Sequence, residues 1–186
     1  MILDDMDETN NGVPAHYRTA TRVILRFAVI MTVVALLSGL AYRESAKKLA
    51  LDAVDPGLHT HATLTLAMVH GHVFLLTVLV PIAFAGALFL ARKAGGAEMH
   101  PMAVRPLTWG YLPFATLTFL LILYRGYHFL VSVRGGATDL AEIDARFFGG
   151  VMPLRYGVYG LAHLGMFLTL TAFLIALWRS LGKARS

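Results

Sequence analysis

The sequence predicts an all-α integral membrane protein, a four-helix up-down bundle with both termini in the cytoplasm. Three observations carry this. Of 186 residues, 57% are hydrophobic and only 15% are charged. The apolar residues collect into four runs, near Val23–Tyr42, Ala62–Ala91, Leu107–Val133 and Tyr156–Trp178, and a helix of roughly 20 apolar residues crosses a bilayer. Basic residues flank these runs unequally. Arg18, Arg22, Arg26, Arg92, Lys93, Arg105, Arg179, Lys183 and Arg185 fall on one side, nine in all. The other side has six (Arg43, Lys47, Lys48, Arg134, Arg146 and Arg155), diluted by Glu44, Asp52, Asp55, Asp139, Glu142 and Asp144. The richer side is cytoplasmic by the positive-inside rule.

Taken in order, residues 1–21 form a cytoplasmic tail, and 1–17 read as disordered. Its acids Asp4, Asp5, Asp7 and Glu8 argue against reading the first run as a signal peptide. Residues 22–180 form a single transmembrane domain, and 181–186 a second tail. Residues 43–60 make an outer loop, with a short interfacial helix at Ser45–Ala53 and a turn at Asp55-Pro56-Gly57. Pro81 lies in mid-span, where a missing amide kinks the second helix, and Pro113 does the same in the third. Residues 92–106 form an inner loop. Residues 134–155 form the longest outer loop, with a short helix expected at Thr138–Phe147. Gly157, Gly160 and Gly165 allow close approach to the fourth helix.

Composition excludes several classes. There is no cysteine, hence no disulfide framework, thiolate ligand or Cys-linked haem. The net charge of +5 and pI near 9.7 reflect topology signals at span ends rather than nucleic-acid binding. No nucleophile–base–acid arrangement is visible.

The chemistry-bearing residues lie at one depth. Counting about 20 residues from the cytoplasmic ends places His70, His72, Arg125, His128 and His163 in the outer third of the bilayer, on three helices. An ionisable side chain inside a span points to function. His70 and His72 are about 200° apart around a helix, so they serve different faces. His59 shares the face of His70, and His61 that of His72. Arg125 and His128, three apart, lie together. With the second and fourth helices diagonal, one histidine from each could clasp a planar macrocycle. Haem iron accepts imidazole ligands, and Arg125 suits a propionate. Depth makes His163 the candidate ligand on the fourth helix, with Tyr159 or Glu44 in support, and leaves both His70 and His72 open as its partner on the second. The competing reading of each intramembrane histidine is a helix–helix hydrogen bond. His16 and His100 read as solvated. Trp109, Tyr111, Tyr124, Tyr127, Tyr156, Tyr159 and Trp178 read mostly as interfacial belts.

The chain resembles a family of small, uncharacterised four-span bacterial membrane proteins. The shared features are Ala41-Tyr42-Arg43-Glu44, His70-x-His72, Arg125-Gly126 and Gly160-Leu161-Ala162-His163. The resemblance covers nearly the whole membrane part and implies a bacterial inner membrane. A second resemblance covers about a dozen residues. His70-Gly71 and the apolar run to Pro81 are similar to the haem-ligating second helix of the catalytic subunit of haem–copper oxidases. It implies His70, rather than His72, as an axial ligand. The paired histidines of that subunit's copper site are absent, so oxygen reduction does not carry over.

The expected function is therefore a cytochrome b-like protein that binds haem b near the outer face, for electron transfer or haem sensing and handling. It is expected to be a redox carrier or binding protein rather than a stand-alone enzyme. Expected partners are the lipid bilayer, and a quinone or a membrane or extracytoplasmic redox protein. A homo-oligomer or a respiratory-complex subunit fits as well. The alternatives are a copper or zinc site built from His59, His61, His70, His72 and His128, or an accessory subunit without a cofactor.

Overall fold

The computed structural model describes residues 13–47, 64 and 67–182. The described residues form helices and turns, with no strand among them, and four helices are long and apolar enough to cross a membrane. Helix α1 runs Ala15–Lys47; α2, Ala67–Lys93; α3, Pro101–Arg134; and α5, Met152–Gly182. A short α4, Leu140–Ala145, lies between α3 and α5.

Helix α1 starts ahead of its apolar run, inside the stretch expected to be disordered. The Pro14 carbonyl accepts the Tyr17 and Arg18 amides. Tyr17 is 1% exposed, and its hydroxyl accepts the Met99 amide at 2.9 Å. His16, expected to be solvated, donates its Nε2 proton to the Met99 carbonyl at 2.9 Å. The turn after α2 is thereby stitched to the start of α1. Ser180 completes the same end of the molecule: its carbonyl accepts the Ala97 amide at 2.9 Å, and its hydroxyl donates to the Ala97 carbonyl.

A kink is expected at each proline; what the structure shows ahead of both is a π-helical turn. A π-helical turn at Phe74–Leu79 ends at Val80, whose amide bonds back five residues to Leu75, and Pro81 follows. A second, at Pro106–Tyr111, ends at Leu112, whose amide bonds back to Leu107, and Pro113 follows. A proline has no amide proton to continue the ladder. A wider turn ahead of it accommodates the ring and releases a carbonyl.

Helices α3 and α5 interlock through glycine. A Cβ on Gly110 would collide with the branched Thr169 side chain, and one on Gly165 with the Phe114 ring. Gly157 and Gly160, expected to serve the same purpose, have open space instead. Helix α2 meets α5 directly, since Phe84 and Phe173 pack edge-to-face at 5.4 Å. The space that a diagonal arrangement would leave between them is filled there. One core, around Ile24, Leu88, Leu107, Tyr111 and Phe173, lies toward the Tyr17 end. A second, around Ala28, Ala35, Val69, Val73 and Phe119, joins α1, α2 and α3 nearer His70. The outside is apolar as well: Val29 is 67% exposed and Phe167 64%, as lipid-facing surfaces require.

Candidate functional site

His70 lies in the first turns of α2 and turns toward α1. Its Nδ1 is 2.7 Å from the Ala35 carbonyl. A carbonyl has no proton to give, so Nδ1 carries the proton and Nε2 is left with a lone pair. The ring fits because residue 39 is glycine: a Cβ there would lie 3.0 Å from Nδ1. This bond fixes both tautomer and orientation, the condition that a ligating imidazole needs. Gly39 is the partner that sequence reasoning missed. A small residue on the facing helix was its only signal.

His72 and His163 hold the same tautomer by another route. Each donates Nδ1–H to the carbonyl four residues earlier in its own helix. His72 reaches Met68 and His163 reaches Tyr159, both at 2.8 Å. His163 also stacks on Tyr159, with ring centroids 6.1 Å apart and planes 16° from parallel, and the Tyr159 hydroxyl donates to the Leu121 carbonyl of α3 at 3.2 Å. His70 and His163 share neither a hydrogen bond nor a ring contact. His70 faces α1, whereas His163 sits exposed beside Tyr159. Glu44 is exposed near the end of α1. His59 and His61 lie outside the described residues, as does most of Ser45–Ala53. Among the described residues, no group of three or more His, Asp or Glu side chains is placed to hold a metal ion.

Arg125 and His128 belong to a different arrangement, a cap built by the long loop. The short helix expected at Thr138–Phe147 forms as α4, whose Asp139 side chain accepts the Ala141 and Glu142 amides, an N-cap. Its buried Ile143 packs on Phe129 and Leu130 of α3. His128 donates Nε2–H to the Ile143 carbonyl at 2.9 Å. Asp144 receives Arg125 at 3.0 Å and Arg155 at 2.7 Å, one guanidinium from α3 and one from α5. Phe147, 1% exposed, is surrounded by the rings of Tyr124, His128, Phe148 and Tyr159. The Arg155 guanidinium lies 5.7 Å from its ring centre, within cation–π range.

Electrostatics favours this cap. Partial burial pushes the Asp144 carboxyl up, but hydrogen bonds and charge from Arg155 and Arg125 outweigh it and hold Asp144 below the ordinary aspartate range. Two cations share one carboxylate, so the cluster keeps an excess positive charge. Arg155 is the enclosed member, with its side chain 15% exposed, and Arg125 at 46% is the open one. In the sequence Asp144 and Arg155 count only as topology charges and Phe147 only as a helix end, because only tertiary contacts bring residues 144–155 onto residue 125.

Tyr111 also departs from expectation. Its sequence position suggests an interfacial belt, yet it is 1% exposed, and its hydroxyl donates to the Leu76 carbonyl at 2.9 Å. Trp109 and Trp178, at 81% and 78% exposure, do present their rings outward. No protein-family model matches the chain, no curated protein matches it, and no solved structure matches its fold.

Proposed function

We propose that this chain is a cytochrome b-like, haem-binding protein of a bacterial inner membrane, with its four spans in up-down order and both termini cytoplasmic. The single supporting observation is the fixed tautomer of His70: its Nδ1 proton is given to Ala35, and the Nε2 lone pair is the donor that haem iron takes. His163 offers a lone pair of the same kind and is the proposed second axial ligand. The two lone pairs suit haem iron in kind, although His70 faces α1 and His163 lies exposed on α5, so the pairing rests on donor chemistry and not on proximity. Arg125 is the proposed propionate partner. The surplus charge of its cluster, and its exposure beside Asp144, leave it able to bind a second carboxylate. A haem held by two histidines supplies one-electron transfer. The protein's own work is to orient the imidazoles and exclude water.

A second reading has an observation of its own. The bond from His70 to Ala35 joins α2 to α1, so it serves as a helix clamp in an accessory subunit without cofactor. Dithionite-reduced minus oxidised visible spectra in mild detergent separate the two, recorded for wild type, His70→Ala and His163→Ala. Sharp low-spin bands lost in both variants support the haem reading. An unchanged spectrum in His70→Ala overturns the assignment of that ligand. No bands after expression with ample haem overturn the reading as a whole and leave the clamp.

A further inference from the structure

We infer that the groove between the N-terminal ends of α1 and α3 binds the headgroup of an anionic glycerophospholipid. The groove encloses about 300 Å³ and is lined by His16, Thr19 and Val23 of α1 and by Val104, Arg105 and Trp109 of α3. Its floor is apolar and sealed, with Ala20 6% and Val104 3% exposed. Arg105 lines the groove and is exposed. Exposed Arg22 and Arg26 stand outside the lining, three and seven residues after Thr19, on a neighbouring strip of α1. Among the described residues, none of these three arginines has a carboxylate partner. Among the described residues, Glu98 lies 3.8 Å from His16 Nδ1.

The occupant follows from where the groove opens. Val23 and Trp109, 43% and 81% exposed, continue it onto the apolar flank of two helices that are long enough to cross a bilayer. A soluble anion would use the arginines and leave that flank bare. A phospholipid satisfies both, its phosphate against the guanidiniums and its acyl chains along Val23 and beneath the indole. Tryptophan favours this headgroup boundary. Arginines placed a turn or two inside a span reach back to the same level along their aliphatic stems. The inference is independent of the haem reading.

Trp109 is a built-in reporter. The chain has two tryptophans, so Trp178→Phe leaves Trp109 as the only source of indole fluorescence. In mixed micelles, brominated phosphatidylglycerol should quench it at a lower mole fraction than brominated phosphatidylcholine does. Changing Arg22, Arg26 and Arg105 to Gln should remove that preference, about fivefold per arginine, with helical circular dichroism unchanged. Arg179→Gln, at the other corner of the same end, should leave it intact. Equal quenching by the two lipids overturns the inference. So does a preference that survives the triple substitution, which would mark general surface attraction. A preference abolished by excess inorganic phosphate also overturns it, because a free anion would then suffice.

Discussion

The Tyr111 hydroxyl donates to the Leu76 carbonyl, 2.9 Å away on the neighbouring helix. The π-helical register, in which the Val80 amide bonds to Leu75, would assign Leu76 to residue 81. Residue 81 is proline, and the donor comes from α3 instead. A backbone acceptor released in one span is thus satisfied by a buried side chain of another.

Tyr111→Phe should therefore destabilise the protein by about 1 kcal/mol, the size of one intramembrane hydrogen bond. Pro81→Ala restores an amide at residue 81. In the Tyr111→Phe background it should cost less, or even stabilise, than it does in wild type. Thermal unfolding in detergent across the four proteins gives the coupling energy. Additive effects would mean that Tyr111 and Pro81 do not answer the same carbonyl.

The two glycines in the α3–α5 seam should differ in cost. Gly110→Ala meets the Thr169 side chain close to its backbone, where a β-branched residue on a helix has little rotational freedom. Gly165→Ala meets only the far end of the Phe114 ring, which can swing aside. Gly110→Ala should lose about 1–3 kcal/mol, as overpacking does, and Gly165→Ala less. Reversal of that order in a thermal-shift series would refute this view of the seam.

Asp144 gives the cap a pH dependence of known sign. Its folded pKa lies below the unfolded value, so the stabilisation is present above the unfolded aspartate pKa and lost as pH falls through the folded one. Melting temperature should drop on acidification below about pH 4. Asp144→Asn should be less stable near neutrality and lack that drop. The carboxylate side chain is 36% exposed, so the effect should be modest and shrink with salt. Identical acid profiles for the two proteins would count against the ion triad.

For His70 as an axial ligand, the clamp and the ligand are separable. Haem bands absent from His70→Ala should return on adding imidazole, because the cavity beside Gly39 can admit the free ligand. Rescue of the bands without recovery of thermal stability is the expected pattern, since free imidazole does not tether α2 to α1. Stability that recovers while the bands stay absent would leave only the clamp.

Composition and local spacing are enough for the spans, the helix distortions and the loop helix. Four apolar runs predict four spans because a bilayer leaves backbone groups no partner outside the helix. Pro81 and Pro113 predict distortion because a missing amide is a covalent fact. The turn residues of the long loop predict a short helix near residue 140. Tertiary structure alone decided which distant groups meet. His70 finds Ala35 because residue 39 has no side chain, and Tyr111 turns inward because a carbonyl on α2 is vacant. Asp144 gathers Arg125 and Arg155 because α4 folds back over α3 and α5. Each of these depends on how helices rotate and slide against one another. Apolar periodicity constrains that weakly in a membrane, where lipid covers an exposed leucine as readily as another helix does.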